Sequence, residues 1–488
     1  MAADSELSHD VAVVGAGAAG LYAALTAAGA GASVALVSAT PLAQTASYWA
    51  QGGIAAALAV DDSPARHLAD TVRAGRDAVR RSAAEVLCDE APERVADLER
   101  LGVHFDADRR GVLALGLEGG HSLRRVVHAG GSATGRRVVR QLSALAVDEP
   151  RIDVLEGGRA ASARMRDGRC EGIALEDGRA LRARATILAT GGAAALWSRT
   201  TNPPGSLGIG MAIAHATGAD VADLEFLQFH PTAVIGVAGR EGFLVTEAIR
   251  GEGATLHGPA GERFVDELAP RDEVARSIAT LLAQSGATSV GLDMRAIDPA
   301  RFPNVFSALR DAGLDPTREL VPVSPAAHYM MGGVVTDLHG ASTTAGLYAV
   351  GETACTGLHG ANRLASNSLS ECLVFGARAA LAGLDEPECP GATRSAITQP
   401  PAVSLARPGR ATQEALWQHA GIVRSRAGLQ SLLDDPHPLA RLIALCALQR
   451  EESRGAHQRA DFPHSDPALN HHHAVVGADE RPRLAEWH

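Results

Sequence analysis

The first apolar segment of the chain spans residues 11–14 and runs directly into a glycine-rich turn, Gly-Ala-Gly-Ala-Ala-Gly, at residues 15–20. A helix-forming run at 21–28 and a second apolar run at 34–37 follow. Strand, turn, helix and strand within about 30 residues form the setting in which the G-x-G-x-x-G pattern binds a dinucleotide. Its first glycine permits a tight turn, its second lets the backbone approach a pyrophosphate, and its third lets helix and strand pack closely. The pattern therefore predicts a Rossmann-like unit at the start of the chain.

Later segments indicate that this dinucleotide-binding domain is interrupted and then resumed. Residues 66–102 have the apolar spacing of amphipathic helices, and residues 152–189 alternate short strands with Asp-Gly turns. Between residues 223 and 335 the pattern changes to shorter segments punctuated by polar residues. A strand followed by Gly351 and Glu352 then returns.

The predicted fold class is α/β, with a Rossmann-like dinucleotide-binding domain in two segments, an inserted α+β capping domain and a C-terminal helical domain. The predicted parts are residues 1–222 (first dinucleotide-binding segment), 223–335 (capping domain), 336–392 (second segment) and 405–488 (C-terminal helical domain). The stretch 393–408 contains several prolines and is interpreted as a linker. The histidines at 471–473 are interpreted as part of a solvent-exposed tail, and no metal site is predicted.

Composition excludes several classes of function. The chain has 488 residues, and all 45 of its basic residues are arginine, since the sequence contains no lysine. Schiff-base chemistry and the P-loop both need lysine, so pyridoxal-phosphate enzymes, Schiff-base aldolases and Walker-type nucleotidases are excluded. The formal net charge of −11 argues against nucleic acid or an anionic membrane as the main partner. The six cysteines form no C-x-x-C pair, and no signal peptide or membrane anchor is recognised, so we expect free thiols and a cytoplasmic location.

The identity of the dinucleotide depends on two acidic positions. Ser38 ends the second apolar run, where NAD-binding proteins commonly carry a carboxylate for the ribose hydroxyls, so NAD is disfavoured. Glu352 can accept hydrogen bonds from ribityl or ribose hydroxyls, which favours FAD in a two-segment domain. The segment from Ser47 to Gly53 has two equal interpretations: a loop that lies along the flavin ring, or a hydrophobic loop in the core.

Histidine and arginine recur in loops in and around the predicted insert. His230 precedes a proline, Glu247 and Arg250 are spaced to pair on one helical face, and His328 and Arg363 lie near glycines. Each has a structural alternative, because most such ion pairs are solvated and a lone histidine is usually a core residue. Their joint occurrence favours a clamp for two carboxylates. The residues therefore predict a flavoenzyme that acts on a small dianionic substrate.

In these motifs the chain resembles the succinate dehydrogenase/fumarate reductase flavoprotein superfamily, and within it the L-aspartate oxidase family. The similarity extends over nearly the whole chain, and the segments that carry it are residues 50–56, 118–122, 224–231, 246–253, 268–272, 325–329, 356–373 and 452–463. Members of the superfamily that bind FAD covalently do so through a histidine ahead of the Ala-Gln-Gly-Gly segment. Ala46 occupies that position here, so the resemblance implies FAD bound without a covalent link.

The resemblance also implies the reaction: oxidation of L-aspartate to iminoaspartate, with oxygen (giving hydrogen peroxide) or fumarate as acceptor. This is the first step of de novo NAD biosynthesis, and functional coupling to quinolinate synthase is expected. Glu118 would discriminate aspartate from succinate by receiving the α-ammonium group. The implied catalytic residues are Arg271 as acid/base with Glu118, Glu247 and Arg250, and the implied substrate-binding residues are His230, Thr246, His328, Arg363 and Gln228. The implied FAD contacts are Gly15, Ala16, Gly17, Ala18, Ala19, Gly20, Ser38, Ala46, Ser47, Tyr48, Trp49, Ala50, Gln51, Gly52, Gly53, Glu352, Asn367, Ser368 and Leu369.

Departures from the family pattern keep two alternatives open. Ile209 stands between two glycines where the family has an aspartate that touches FAD, and the stretch between Phe264 and Leu268 is short. One alternative is a soluble fumarate reductase or succinate-type oxidoreductase, which would share the clamp but gain nothing from Glu118. The other is a flavin-binding homologue with impaired catalysis.

Overall fold

The structure of the protein is a computed structural model that describes residues 7–389 and 407–488. Within these residues the α-helices are α1 (Ala18–Gly29), α2 (Pro64–Ala74), α3 (Arg81–Arg100), α4 (Thr134–Asp148), α5 (Ile209–Ala216), α6 (Glu247–Gly251), α7 (Arg271–Ser285), α8 (Pro303–Asp311), α9 (Asn367–Leu384), α10 (Arg410–His419), α11 (Arg426–Ser431) and α12 (Pro438–Gln449). The strands are β1 (Leu7–Val14), β2 (Val34–Ser38), β3 (Ile54–Ala55), β4 (Leu115–Gly116), β5 (Val126–Val127), β6 (Ile152–Glu156), β7 (Ala160–Arg166), β8 (Arg169–Leu175), β9 (Ala180–Leu188), β10 (Val221–Ala222), β11 (Leu227–Val234), β12 (Thr255–His257), β13 (Val290–Asp293), β14 (Val321–Met330), β15 (Gly333–Val335), β16 (Leu347–Ala349), β17 (Ala354–Cys355), β18 (Val423–Arg424), β19 (Gln458–Arg459), β20 (His472–Val476) and β21 (Pro482–Glu486). The linker predicted at 393–408 and the end of the predicted segment 336–392 lie almost wholly outside the described residues.

The largest sheet is built around β1. Strands β6, β2, β1 and β9 lie side by side in parallel, and β16 pairs in parallel with the last residues of β9. Strands β8 and β7 extend the sheet in antiparallel fashion from the first half of β9. The chain thus leaves the parallel sheet after β9 and returns to it at β16, as expected of an interrupted dinucleotide-binding domain. The bounds of the domains remain a prediction.

Two glycines of the 15–20 turn are required by its geometry. Gly15 has a φ of +112°, which side chains rarely allow, and a Cβ there would lie 2.2 Å from the carbonyl oxygen of Ala189 at the end of β9. A Cβ on Gly20 would lie 1.8 Å from the carbonyl oxygen of Gly15. The tight turn and the close packing predicted from the glycine pattern are therefore both present.

Between β10 and β15 the chain forms a separate antiparallel sheet in the order β11-β14-β13-β12, with α6, α7 and α8 packed against it. A cluster of buried residues that includes Val245, Ile278 and Phe306 forms its own core. These elements lie inside the predicted capping domain. Strands β11 and β14 carry the histidines and the glutamine singled out in the sequence.

The C-terminal part is not purely helical, which corrects the predicted helical domain. Helices α10, α11 and α12 are followed by β20 and β21, and β20 pairs in antiparallel fashion with β10. The last strands therefore complete a sheet that also contains β15 and β17. A strand of five residues is too short to be distinguished from a tail by periodicity alone.

The interpretation of the histidine run as a solvent-exposed tail is wrong. His473 lies in β20 and is fully buried. Its Nδ1 is 2.5 Å from Oδ2 of Asp223, and its ring stacks on Trp487 with 4.0 Å between centroids. A buried polar ring is tolerated when it is hydrogen-bonded, and this partner is 250 positions away in the sequence.

The cysteines and the helices agree with the sequence in two further respects. All six cysteines are free, as predicted. Among the helices that the structure describes, none combines the length and the apolar character needed to cross a bilayer.

Candidate active site

Three arginines gather where β11 and β14 meet the first turns of α6 and α7. Arg250 lies on α6, Arg271 is the first residue of α7, and Arg363 lies in the loop before α9; all three side chains are buried. The carboxylates of Glu118 and Glu247 lie within electrostatic range of this group. Three guanidinium groups facing two carboxylates leave an excess of positive charge, which suits a dianionic ligand.

Glu247 compensates two of the arginines. Its Oε2 is 2.5 Å from Nε of Arg271 and 3.6 Å from Nη2 of Arg250, and its Oε1 accepts the backbone N–H of Gly119 at 2.9 Å. Burial alone would raise the pKa of Glu247, but the two guanidinium groups and the Gly119 N–H lower that pKa to about 2. Glu247 is therefore ionised at any physiological pH. The predicted pairing of Glu247 with Arg250 on α6 is confirmed.

Gln228 joins the remaining arginine to this pair. Its Oε1 accepts hydrogen bonds from Nη1 of Arg271 at 3.0 Å and from Nε of Arg363 at 3.3 Å. Its amide nitrogen donates to Asn362 and to the carbonyl of Arg363, so both ends of the amide are held. Arg363 lies over the ring of Tyr329, with its Cζ 4.5 Å from the centroid, and burial lowers the pKa of Arg363 to about 10.

The two histidines face each other from adjacent strands. The rings of His230 on β11 and His328 on β14 are 5.0 Å apart. Burial, together with the neighbouring Arg271, holds the pKa of both imidazoles well below the usual value, so both rings are neutral. Nδ1 of His230 accepts the backbone N–H of Thr232 at 3.3 Å, so the ring proton of His230 must reside on Nε2. His230 can thus present its Nε2–H to a carboxylate.

Glu118 and Thr246 complete the set that the sequence singled out. Thr246 is buried immediately before the first turn of α6. Glu118 is buried, and its Oε2 accepts a hydrogen bond from Ser366 Oγ at 2.6 Å. Its Oε1 is 3.8 Å from the point that a Cβ on Gly52 would occupy. The structure therefore brings the predicted acid next to the segment that is predicted to contact the flavin.

The start of α1 and the loop that follows β2 form the predicted cofactor face. The hydroxyl of Ser47 accepts the N–H of Ala18 at 3.1 Å, so this side chain covers the first turn of α1. Gln51 donates its amide to the carbonyl of Leu244, while its buried Oε1 has no partner among the described residues. An unpartnered buried acceptor beside a glycine-walled turn fits a polar group such as the rim of a flavin. Trp49 is 57% exposed, so the interpretation of this segment as a core loop does not apply to that ring.

Other predicted cofactor residues use their side chains within the protein. Both ends of the buried Asn367 amide are taken, by His67 at 2.7 Å and by Thr71 at 3.0 Å, so only its backbone remains for a cofactor. Ser368 accepts from Arg363 at 2.6 Å, and Ser38 donates to the carbonyl of Thr40. The cofactor contact predicted for Asn367 therefore stays a prediction, and it would have to be made by the backbone.

Glu352 lies at the end of the strand that returns to the sheet. Burial raises the pKa of Glu352 to about 8, although the backbone N–H of Met330, 2.9 Å from its Oε1, opposes that shift. A carboxyl group that is largely protonated at neutral pH can donate as well as accept a hydrogen bond. This chemistry fits a hydroxyl-bearing ligand.

Comparison with known proteins identifies the family. A family model described as an FAD binding domain matches residues 10–369, and one described as the fumarate reductase flavoprotein C-terminus matches residues 433–486. L-aspartate oxidase from Caulobacter vibrioides is 44% identical over 93% of this chain and 94% of its own length. L-aspartate oxidase from Streptomyces coelicolor is 40% identical over 98% of this chain and 93% of its own length. The chain belongs to the L-aspartate oxidase family.

Membership in the L-aspartate oxidase family confirms FAD as the cofactor that the sequence predicted. Solved structures agree on the fold: the flavoprotein FrdA of Escherichia coli quinol fumarate reductase superposes with a TM-score of 0.86 at 27% identity, covering 98% of this chain and 96% of that chain. The Sdh1 complex of Mycobacterium smegmatis with UQ1 gives a TM-score of 0.84 at 30% identity, covering 99% of this chain and 95% of that chain. The chain thus has the family's FAD-binding fold, with mixed α/β content and a C-terminal domain.

Sequence reasoning missed the residues that hold the site together in this member of the L-aspartate oxidase family. Thr201 contacts Nδ1 of His328 through its hydroxyl at 2.8 Å, and Asn202 donates to the carbonyl of His328 at 2.6 Å. Ser366 contacts Glu118, as described above. The Thr-Thr-Asn-Pro-Pro run at 200–204 is a polar loop signal that could have drawn attention to the first two.

Proposed function

We propose that this chain catalyses the FAD-dependent oxidation of L-aspartate to iminoaspartate, with oxygen (yielding hydrogen peroxide) or fumarate as electron acceptor. The observation that carries the proposal is the buried Glu118 carboxylate beside a cationic clamp for two carboxylates. A clamp alone suits any four-carbon dicarboxylate. A carboxylate next to it favours a substrate that also carries a positive charge, and L-aspartate is such a substrate.

Two sets of hydrogen-bond donors bind the two carboxylates of the substrate. His230 and Thr246 hold one substrate carboxylate, and His328 and Arg363 hold the other. In the ligand-free site the neutral imidazoles add no repulsion to the arginines, and Thr201 keeps the ring of His328 in place. Glu118 accepts hydrogen bonds from the α-ammonium group. Arg363 thus meets one substrate carboxylate and Glu118 meets the ammonium group, while His230 and Thr246 bind the other carboxylate through hydrogen bonds.

Arg271 and its neighbours accept and transfer the proton that the reaction releases. The oxidation removes a hydride from the α-carbon and a proton from the α-ammonium, which leaves iminoaspartate. When bound, FAD supplies the two-electron acceptor for this chemistry. Arg271 is the acid/base candidate; the assignment follows from the family, because a free guanidinium rarely gives up its proton. Ionised Glu247, in direct contact with Nε of Arg271, and Arg250 beside it form the relay by which a proton leaves the buried site.

The cofactor is held without a covalent link. The N–H groups of Ala16, Gly17 and Ala19 at the start of α1 receive the pyrophosphate together with the Ser47 hydroxyl, since a helix N-terminus favours anions. Gln51 and the backbone of residues 50–53 face the flavin, and Glu352 faces the ribityl chain. Ala46 provides no nucleophile for a covalent bond.

The cellular setting follows from the product. An imine of oxaloacetate hydrolyses readily, so an enzyme that condenses it must act soon after its release, and quinolinate synthase in NAD biosynthesis is the expected consumer. Six free thiols fit the reducing cytoplasm.

The visible spectrum of the FAD-loaded protein under anaerobic conditions tests the proposal. We expect L-aspartate to bleach the flavin bands and admission of air, or addition of fumarate, to restore them. Succinate serves as the control ligand, because it fits the clamp but lacks the ammonium group. A spectrum that L-aspartate leaves unchanged while fumarate reoxidises chemically reduced enzyme would favour a soluble fumarate reductase instead. A flavin that responds to neither would favour the impaired homologue.

A further inference from the structure

Ser366 adopts a backbone conformation that is unusual for a residue with a side chain. It directly precedes α9 with a φ of +63°, in the left-handed region where glycine is favoured. Its carbonyl oxygen accepts the N–H of Ala55 at 3.2 Å, so β3 holds this conformation in place. A strained residue that glycine would accommodate more easily points to a role for the side chain.

The hydrogen bonds of the Ser366 hydroxyl define where its proton goes. Oγ accepts the backbone N–H of Gly53 at 3.2 Å and lies 2.6 Å from Oε2 of Glu118. A hydroxyl has a single proton, and an amide N–H can only donate. The proton is therefore directed to the carboxylate. Gly53 belongs to the predicted flavin-facing segment, so the hydroxyl links that segment to the acid.

We propose that Ser366 is a positioning residue that makes the site selective for amino dicarboxylates over plain dicarboxylates. By binding Oε2 it fixes the Glu118 carboxylate and leaves Oε1, which faces Gly52, for the substrate ammonium group. This inference rests on the proposed function, because it assigns Glu118 to that ammonium.

The surrounding charges explain why the carboxylate needs to be held. Both Arg250 and Arg363 feel the negative charge of Glu118. Without the hydroxyl, the carboxylate is drawn towards these guanidinium groups. There it would neutralise part of the clamp and no longer meet the ammonium group. Ser366 keeps the acid and the arginines available for different charges of the same substrate.

Two substitutions at Ser366 distinguish an effect on the backbone conformation from an effect on substrate selectivity. Ser366→Gly removes the hydroxyl and relieves the left-handed conformation, whereas Ser366→Ala removes the hydroxyl and keeps the strain. Ser370→Ala is the matched control, because Ser370 is a buried serine one turn along α9 whose hydroxyl donates to the carbonyl of Ala55 at 2.6 Å. Each FAD-loaded variant is compared by kcat/KM for L-aspartate and by the inhibition constant of succinate.

We expect Ser366→Gly and Ser366→Ala each to lower kcat/KM for L-aspartate about tenfold, the range of one hydrogen bond to a charged group, chiefly through KM. The inhibition constant of succinate should stay near its wild-type value in both Ser366 variants, and Ser370→Ala should keep the wild-type values for both ligands. In a Glu118→Gln background, Ser366→Gly should have no further effect on selectivity. Equal losses for aspartate and succinate, or an undiminished effect of Ser366→Gly in that background, would overturn the inference. Failure of the proposed function is a separate result: wild-type flavin that L-aspartate does not reduce.

Discussion

Nε of Arg271 lies 2.5 Å from Oε2 of Glu247, and the two side chains belong to the first residues of different helices, α7 and α6. This contact brings the N-terminal residues of both helices together beside Gln228 of β11. The pair is buried, and Gln228 extends it to Arg363. A charge change at Glu247 must therefore affect the whole cationic group.

Glu247→Gln tests the proposed proton relay. The amide keeps the shape but removes the negative charge that offsets Arg271 and Arg250, so we expect kcat for aspartate oxidation to fall by about 100-fold or more, the range of lost acid/base catalysis. Steady-state kinetics of the FAD-loaded variant measure this. Glu252→Gln is the control, because Glu252 directly follows α6, is partly exposed and pairs with Arg301 instead of the buried arginines. If kcat of Glu247→Gln stays within a few-fold of the wild-type value, Glu247 is not part of the proton relay.

Glu118→Gln distinguishes the two dicarboxylate chemistries. The variant loses a charge-assisted hydrogen bond to the α-ammonium group, and such bonds contribute about 1.5–3 kcal/mol, or roughly 10- to 150-fold in kcat/KM. Fumarate has no ammonium group, so its reduction by pre-reduced enzyme should change little. The same preparation can be assayed in both directions, which controls for the amount of folded, flavin-loaded protein. Equal decreases in aspartate oxidation and fumarate reduction would contradict the assignment of Glu118 to the ammonium group.

Ligand binding should take up protons. His230 and His328 are neutral because burial and nearby arginines lower their pKa values, and a bound dianion raises those pKa values again. The succinate Kd should therefore decrease as the pH falls from 8 to 5, mainly below the ordinary imidazole pKa of about 6.5, by at most about tenfold per unit for each proton taken up. Titration of the flavin spectrum with succinate at several pH values measures the Kd.

Glu352, with a pKa of about 8, also titrates in this range, so a control is needed. His230→Gln removes one of the two imidazoles and should flatten the pH profile, whereas Glu352→Gln should leave its slope below pH 7 unchanged. If the pH dependence of the Kd persists in His230→Gln and disappears in Glu352→Gln, the proton is taken up by the Glu352 carboxyl group and not by the imidazoles.

Local signals in the sequence were sufficient for some parts of the molecule and insufficient for others. The 15–20 turn, the short strands of 152–189 and the pairing of Glu247 with Arg250 depend on neighbours within a few residues, and all three are present. The contact between Ser366 and Glu118 joins residues 248 positions apart, and the burial of His473 depends on an aspartate 250 positions away. Periodicity and motif spacing carry no information on such pairs. Even within a recognised motif the direction of a side chain was not predictable, as Asn367 shows by turning to His67 and Thr71.

The C-terminal part of the chain is tied to the site strand by a buried ion network that allows a stability prediction. Nε of Arg450 lies 2.7 Å from Oε1 of Glu225, and its Nη1 lies 3.1 Å from Oε1 of Glu452, with all three side chains fully buried. Glu225 is two residues before β11, which carries Gln228. Arg450→Met leaves the buried carboxylate of Glu225 without its ion-pair partner, whereas Glu452 keeps its contacts with Arg454. A buried charge that loses its partner costs about 3–5 kcal/mol of unfolding free energy. Arg426→Met is the control: Arg426 pairs with Glu451 at the surface, with the two side chains 52% and 49% exposed, and such pairs contribute less than about 1 kcal/mol.

The pH dependence of the Arg450→Met defect provides a second and sharper test. Burial raises the pKa of Glu225 to about 7, even though Arg450 opposes that shift. Loss of the guanidinium group raises this pKa further, so the folded variant binds a proton at Glu225 that the unfolded chain, with its ordinary carboxyl pKa, releases. Stability of the variant must then increase as the pH falls from 8 towards 5. Thermal unfolding at both ends of that range should show the midpoint of Arg450→Met approaching the wild-type value at the acidic end. A constant difference from wild type at all pH values would mean that lost packing, and not the unpaired carboxylate of Glu225, causes the defect.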